Sequence, residues 1–251
     1  MKEVVVDNAT KDLLRRYAAQ YETTEFLEGD PSFWMHQVTG VENQETMAFV
    51  ASCLSYGSRK QFMPKIGQFL EWSGGDVYDW VRTGAFKENF RCGDKGCFYR
   101  LYNNDCMHNF LCASQQLLTE YGSIGEYVRN YSSNGFGALQ AICSYYASQG
   151  VSVVVPKDTQ SACKRVCMFL RWMVRSGSQV DLGLWADFID RRTLIMPLDT
   201  HVVTQSVRLG LMQCRVASMS SARRLTSVLA TVFPEDPLRG DFALFGYGVS
   251  N

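Results

Sequence analysis

Apolar residues recur along most of this chain at three- and four-residue spacing, the period that gives a helix one apolar face. That pattern predicts helices over Lys11–Glu22, Gln44–Leu54, Lys60–Trp72, Cys106–Tyr121, Ile124–Tyr131, Gly135–Ser148, Thr159–Val174, Thr200–Leu209, Ser221–Phe233 and Pro237–Tyr247. Asp30-Pro31 and Asp236-Pro237 each place a capping residue before a proline suited to the first helical position. The one clear strand signal is Val151-Ser152-Val153-Val154-Val155. Loops such as Ser73-Gly74-Gly75 and Ser132-Ser133-Asn134-Gly135 separate individual helices, and neither internal repeats nor low-complexity tracts stand out. The expected fold class is all-α.

Composition adds bounds. The chain has 251 residues, 46% of them apolar, which is ample for a large buried core. No apolar run is as long as a membrane span, and Met1-Lys2-Glu3-Val4-Val5-Val6-Asp7 lacks the core of a signal peptide. A cytoplasmic protein, monomeric and without membrane contact, is expected. The nine cysteines are odd in number and irregularly spaced, so they read as thiols rather than a disulfide framework. Neither Cys92/Cys97 nor Cys163/Cys167 has a second pair at metal spacing, so no metal and no cofactor is expected. Formal net charge is zero, yet Val151–Arg224 holds eleven Lys or Arg against five acids, whereas residues 1–30 hold four against seven. A basic region beside an acidic flank is compatible with DNA, and equally with ordinary solvated helix faces.

Two segments carry candidate chemistry. In Met196-Pro197-Leu198-Asp199-Thr200-His201-Val202, proline stops any preceding helix and Asp199 stands where an N-cap belongs. Backbone N–H groups and the helix dipole would keep this carboxylate ionised and fixed in direction. In Ser161–Arg175, Lys164, Met168 and Arg171 fall at i, i+4 and i+7 and share one helix face, while Val166, Phe169, Leu170 and Met173 face a core. From pattern alone, Asp199 reads as a cap and Lys164 as a solvated charge.

Pro197-Leu198-Asp199-Thr200-His201-Val202 followed by Arg208-Leu209-Gly210-Leu211 resembles a segment of the helix-hairpin-helix DNA glycosylases, the superfamily of endonuclease III and the adenine glycosylases. The archaeal 8-oxoguanine glycosylases are the most similar branch. There a helix-borne lysine is followed seven residues later by a second basic residue, as Lys164 is by Arg171. Asp241 and Phe245 reproduce the spacing of an aspartate and a tryptophan that contact the oxidised base in that branch. The chain as a whole also resembles an uncharacterised bacterial protein family.

The resemblance implies two helical lobes with a cleft between them, one formed by residues 1–41 and 156–251, the other by 42–155. It implies base excision repair by a glycosylase and AP lyase on double-stranded DNA, removing 8-oxoguanine by base flipping. Lys164 would form a Schiff base at C1′ and Asp199 would stabilise the cationic sugar. Met168, Asp241 and Phe245 would hold the base. Tyr56, Arg59, Thr159, Ser161, Arg165 and Arg171 would meet DNA, with Tyr56 wedging into the stack and a helix N-terminus near Thr159–Ser161 meeting a phosphate. The pattern departs from the superfamily in several places. Val155–Ser161 replaces the glycine-rich hairpin, Met168 an aromatic residue and Phe245 the tryptophan, and the four-cysteine iron–sulfur motif is absent. A non-catalytic DNA-binding module of the same fold and a helical interaction protein are the alternative readings.

Overall fold

The computed structural model describes residues 4–250 and is mostly helical. In chain order these are α1 (Asn8–Tyr21), α2 (Val41–Leu54), α3 (Arg59–Trp72), α4 (Val77–Arg82), α5 (Asn104–Tyr121), α6 (Ile124–Tyr131), α7 (Gly135–Ser148), α8 (Lys164–Val174), α9 (Thr200–Arg208), α10 (Met219–Ala230) and α11 (Arg239–Ser250). Among the described residues the only strands are the short antiparallel pair β1 (Cys97–Tyr99) and β2 (Tyr102–Asn103), joined by a turn in which Arg100 adopts a left-handed φ of 51°. Val151–Val155 corrects the strand expectation, since it runs as irregular chain and turn. It pairs with no other strand, and its β-branched residues are used for packing instead: Val151, Val154 and Val155 are buried.

The chain divides into two compact units. One takes the chain up to Glu28, Ser133–Phe136 and everything from Thr159 onward; the other takes Gly29–Ser132 and Gly137–Asp158. Residues 29–41 thus belong with the second unit, where the 3-10 turn Pro31–His36 packs on α2. That turn starts as its sequence requires: Asp30 accepts the Ser32 N–H at 3.0 Å, with Pro31 at the first position.

The second unit is centred on α2, which is buried along most of its length and packs against α3, α4 and α6. Aromatic rings of Phe49, Phe110 and Tyr146 meet there at centroid distances of 5.3–5.8 Å. Glu45, a buried carboxylate of α2, accepts the N–H groups of Ile124 and Gly125 at 2.7 and 2.9 Å. It therefore satisfies the start of α6, whose first donors have no partner within the helix.

In the first unit α11 is the central element, packed on α1 and α9. Small residues allow close approach: a Cβ on Gly246 would overlap the Tyr21 ring of α1, and one on Gly240 would fall 2.6 Å from Leu229 of α10. This helix begins at Arg239 rather than Pro237, after i to i+3 bonds from Arg239, Gly240 and Asp241 to Asp236, Pro237 and Leu238. These contacts fix the face of α11 that carries Asp241.

Candidate active site

The helix carrying Lys164 starts later than its apolar period suggests. Residues 153–160 are turns and bends, Ser161 makes an isolated antiparallel bridge to Ser218, and α8 begins only at Lys164. The residue before it, Cys163, is buried with φ 47°, a left-handed conformation that costs a non-glycine residue energy and sets the direction in which the helix leaves. Thr159 and Ser161 consequently precede the helix and do not form its N-terminus, which corrects that expectation. Lys164 is its first residue.

Asp199 is the N-cap of α9, with extended backbone. Its Oδ1 accepts the Val202 N–H at 2.9 Å, while Oδ2 lies 3.5 Å from the Lys164 Nζ. Upstream, the Met196 N–H donates to Thr226 Oγ1 at 2.9 Å, tying this segment to α10. Downstream, Gly210 at φ 70° follows α9 with the left-handed conformation common beyond helix ends. Residues distant in the sequence are thereby paired, and both remain partly open to solvent, at 33% and 36% side-chain exposure. An ammonium at a helix's first residue faces the positive end of the dipole, and Asp199 supplies the compensating charge.

Further along α8 the charges are buried. Arg171, expected to offer its charge to DNA, is 4% exposed. Its Nε donates to Asp181 Oδ1 at 3.2 Å, its Nη1 to Asp241 Oδ2, and its guanidinium lies over the Phe242 ring at 4.7 Å. One turn on, Arg175 donates to Asp181 Oδ2, to both carboxylate oxygens of Asp236 at 2.8–3.1 Å, and to Glu22 Oε1 at 2.6 Å. Glu22 Oε2 accepts from Arg239 at 3.0 Å. A continuous ionic chain thus runs from Asp241 through Arg171, Asp181 and Arg175 to Glu22, Asp236 and Arg239.

Electrostatics differ along this chain. Burial pushes the Asp241 carboxyl above its ordinary value, with Asp199 adding to the rise and Arg171 and Lys164 opposing it. Asp181 is raised by burial too, against the pull of Arg171 and Arg175. For Glu22, burial is outweighed by Arg175 and Arg239, and its value is lowered. Burial likewise works against the Arg175 charge but is overcome by Asp181, Asp236 and Glu22, which hold it protonated.

The other expected contacts are dispersed. Asp241 keeps 18% exposure and is close enough to Lys164 and Asp199 to interact electrostatically. Phe245, one turn along, meets Tyr21 and Phe26 edge-on at 5.7 and 4.9 Å, so its ring takes part in packing. Met168 is buried and Arg165 half-buried. Tyr56 and Arg59 belong to the second unit: Arg100 lies over the Tyr56 ring at 5.0 Å, and Arg59 pairs with Asp30 at 3.5 Å. Among the described residues no group of three or more His, Cys, Asp or Glu is placed to hold a metal, and no helix is long and apolar enough to cross a membrane.

Sequence reasoning missed Asp181, Arg175, Asp236 and Glu22. The available signal was Arg171 and Arg175 at i and i+4 in an otherwise apolar helix, a pairing that demands buried carboxylates.

Fold and site together define a helical protein with a half-exposed lysine–aspartate pair above a buried ionic chain. A family model described as "Protein of unknown function (DUF2400)" matches residues 30–250, and the chain belongs to that family. No curated protein and no solved structure gives a significant match.

Proposed function

We propose that this protein is a DNA repair glycosylase of the helix-hairpin-helix type, with β-lyase activity, that removes 8-oxoguanine from duplex DNA. The observation that supports this reading is the Lys164–Asp199 pair at 3.5 Å. A nucleophilic amine and a carboxylate fixed by a helix cap are the two groups that such chemistry needs from the protein. With the nucleotide flipped out of the stack, the Lys164 amine attacks C1′, the glycosidic bond breaks, and the base departs. Asp199 stands where it can receive the proton the amine gives up and offset positive charge on the sugar. The departing base takes up the proton that Asp199 received, the C1′–O4′ bond breaks to open the sugar into a lysine Schiff base, and loss of a proton from C2′ then expels the 3′-phosphate by β-elimination. Asp241, whose Oδ2 is held by Arg171, offers Oδ1 to the base.

A second reading has its own support. Met168, Arg171 and Phe245, three of the residues expected to meet DNA or the base, are used in packing or in ion pairs. That favours a DNA-binding module without catalysis. Borohydride reduction separates the two, since it traps a Schiff base covalently. Duplex containing 8-oxoguanine should become attached to the wild type and not to Lys164→Gln. Equal trapping of both proteins rules out Lys164 as nucleophile, and salt-dependent binding with no trapping in either supports the non-catalytic module.

A further inference from the structure

The first unit holds an open cavity of about 630 Å³ beside the turn that joins α10 to α11, away from the Lys164–Asp199 pair in sequence and in lining residues. Four arginines line it: Arg15 from α1, Arg175 after α8, Arg191 from the 3-10 turn Arg191–Thr193, and Arg239 at the start of α11. Arg175 is spent on the buried ionic chain, and in being so neutralises Glu22 and Asp236, two of the three acids in the lining. The third, Glu235, is 77% exposed and 3.7 Å from Arg192.

The other three arginines keep donors in reserve. Arg191 is oriented by two backbone carbonyls, Nε to Glu235 at 3.0 Å and Nη1 to Ser176 at 3.3 Å, and among the described residues no carboxylate within ion-pair distance neutralises it. Arg239 uses Nε on Glu22, and neither of its terminal nitrogens has an acceptor among the described residues. Arg15 spends one bond on the Val232 carbonyl at 3.4 Å and one on the exposed Asp12. In the same lining, the backbone N–H groups of Ser176, Gly177 and Ser178 make no hydrogen bond among the described residues, and Gly177 has a left-handed φ of 76°. Successive amides around a left-handed residue form a concavity that suits an anion.

We propose that this cavity binds a phosphate monoester carried on a nucleoside. Its unspent charges are three guanidinium groups against the one exposed carboxylate of Glu235, an excess that favours an anionic ligand able to accept from several donors. Guanidinium groups approaching from three elements match the several oxygens of a phosphate, whereas a carboxylate occupies a single fork. The volume is in the range that holds a small organic ligand and exceeds what a bare phosphate fills. A free nucleotide and the 5′-end of a DNA strand present this same group. The assignment is independent of whether Lys164 is a nucleophile.

The test uses the full chain with deoxyguanosine 5′-monophosphate, deoxyguanosine, inorganic phosphate, and one single-stranded oligonucleotide with and without a 5′-phosphate. The monophosphate should bind at least about tenfold more tightly than the nucleoside, and inorganic phosphate should compete with it. Tighter binding of the 5′-phosphorylated strand than of its hydroxyl counterpart names the strand end as the source. Equal binding of the two strands, with monophosphate binding retained, names the free nucleotide. Arg191→Gln and Arg239→Gln should each reduce the phosphate-dependent affinity by about tenfold, with Arg191→Lys falling between. Melting temperatures identify any variant that fails to fold, and Arg239, on the surface, provides the second variant if the Arg191 turn does not tolerate change. Equal affinity for nucleoside and monophosphate with no effect of the strand's 5′-phosphate overturns the proposal, as does unchanged phosphate-dependent affinity in both glutamine variants.

Discussion

The two ends of α8 carry charge in opposite ways. At its first residue Lys164 meets a single carboxylate at 3.5 Å with a third of its side chain in solvent, whereas at the other end Arg171 and Arg175 are 4% and 2% exposed and bonded to four carboxylates between them. A solvated pair at such a distance contributes little to stability, because water screens it and the long side chain loses freedom on pairing. Buried ions are different, since each has lost its hydration and relies on its partners. Loss of a single partner is therefore costly at the arginine end and cheap at the lysine end. The same helix supplies a rigid anchor and a side chain able to exchange partners.

Changes at the two ends should separate these roles. The largest effect on folding is expected for Arg175→Met, which takes from Asp236 the arginine that it binds and leaves Asp181 with Arg171 alone: a loss of about 3–5 kcal/mol by chemical denaturation. A loss under 1 kcal/mol would place this chain of ions near the surface pair in energetic terms and remove the contrast. Next comes Asp199→Asn. Asparagine caps a helix about as well as aspartate, so the melting temperature should stay near that of the wild type. If the proposed chemistry is right, single-turnover base excision should nonetheless fall about 10²–10³-fold, by analogy with the loss of one preorganised group at a transition state. Full excision by a well-folded Asp199→Asn protein would leave this aspartate only its cap.

The smallest effect is a difference in pH slope. Glu22 has a lowered value in the folded state, so its contribution is present above the ordinary 4.5 and disappears as pH falls through the depressed value. The stability gap between wild type and Glu22→Gln should then narrow on acidification. Asp241 has a raised value, so its contribution is full below the ordinary 3.8 and disappears as pH rises through the elevated one. Asp241→Asn should gain on the wild type over that rise. Denaturation midpoints followed across the acid range read both slopes, and slopes of the same sign would contradict the assigned electrostatics.

Much of the local structure is legible from residue order. Helices over Ile124–Tyr131 and Gly135–Ser148 begin and end where apolar period and flanking residues place them, and the cap at Asp199 follows from proline, a capping side chain and a periodic run. These are decisions taken within a few residues. The start of α8 was not legible, because Thr159–Cys163 has acceptable helical composition and is diverted by the bridge from Ser161 to Ser218, a contact more than fifty residues away. Nor was α4, only six residues long and stabilised by Asp76 accepting the Asp79 N–H at 2.9 Å. Short helices carry too few periods to stand out.

By itself the sequence determined that the protein is helical, where most helices lie, that Asp199 caps one of them, and that Lys164 and Arg171 share a face. Period and capping are properties of adjacent residues, and those are fixed by covalent order. Only tertiary structure decided what that shared face meets. It turned Lys164 toward Asp199 and solvent and closed Asp181 and Asp241 over Arg171, so two positive charges seven residues apart came to have unlike environments. The reason is physical: the burial of a charge depends on which carboxylates the rest of the chain brings to it, and the spacing of residues along one helix does not contain that information.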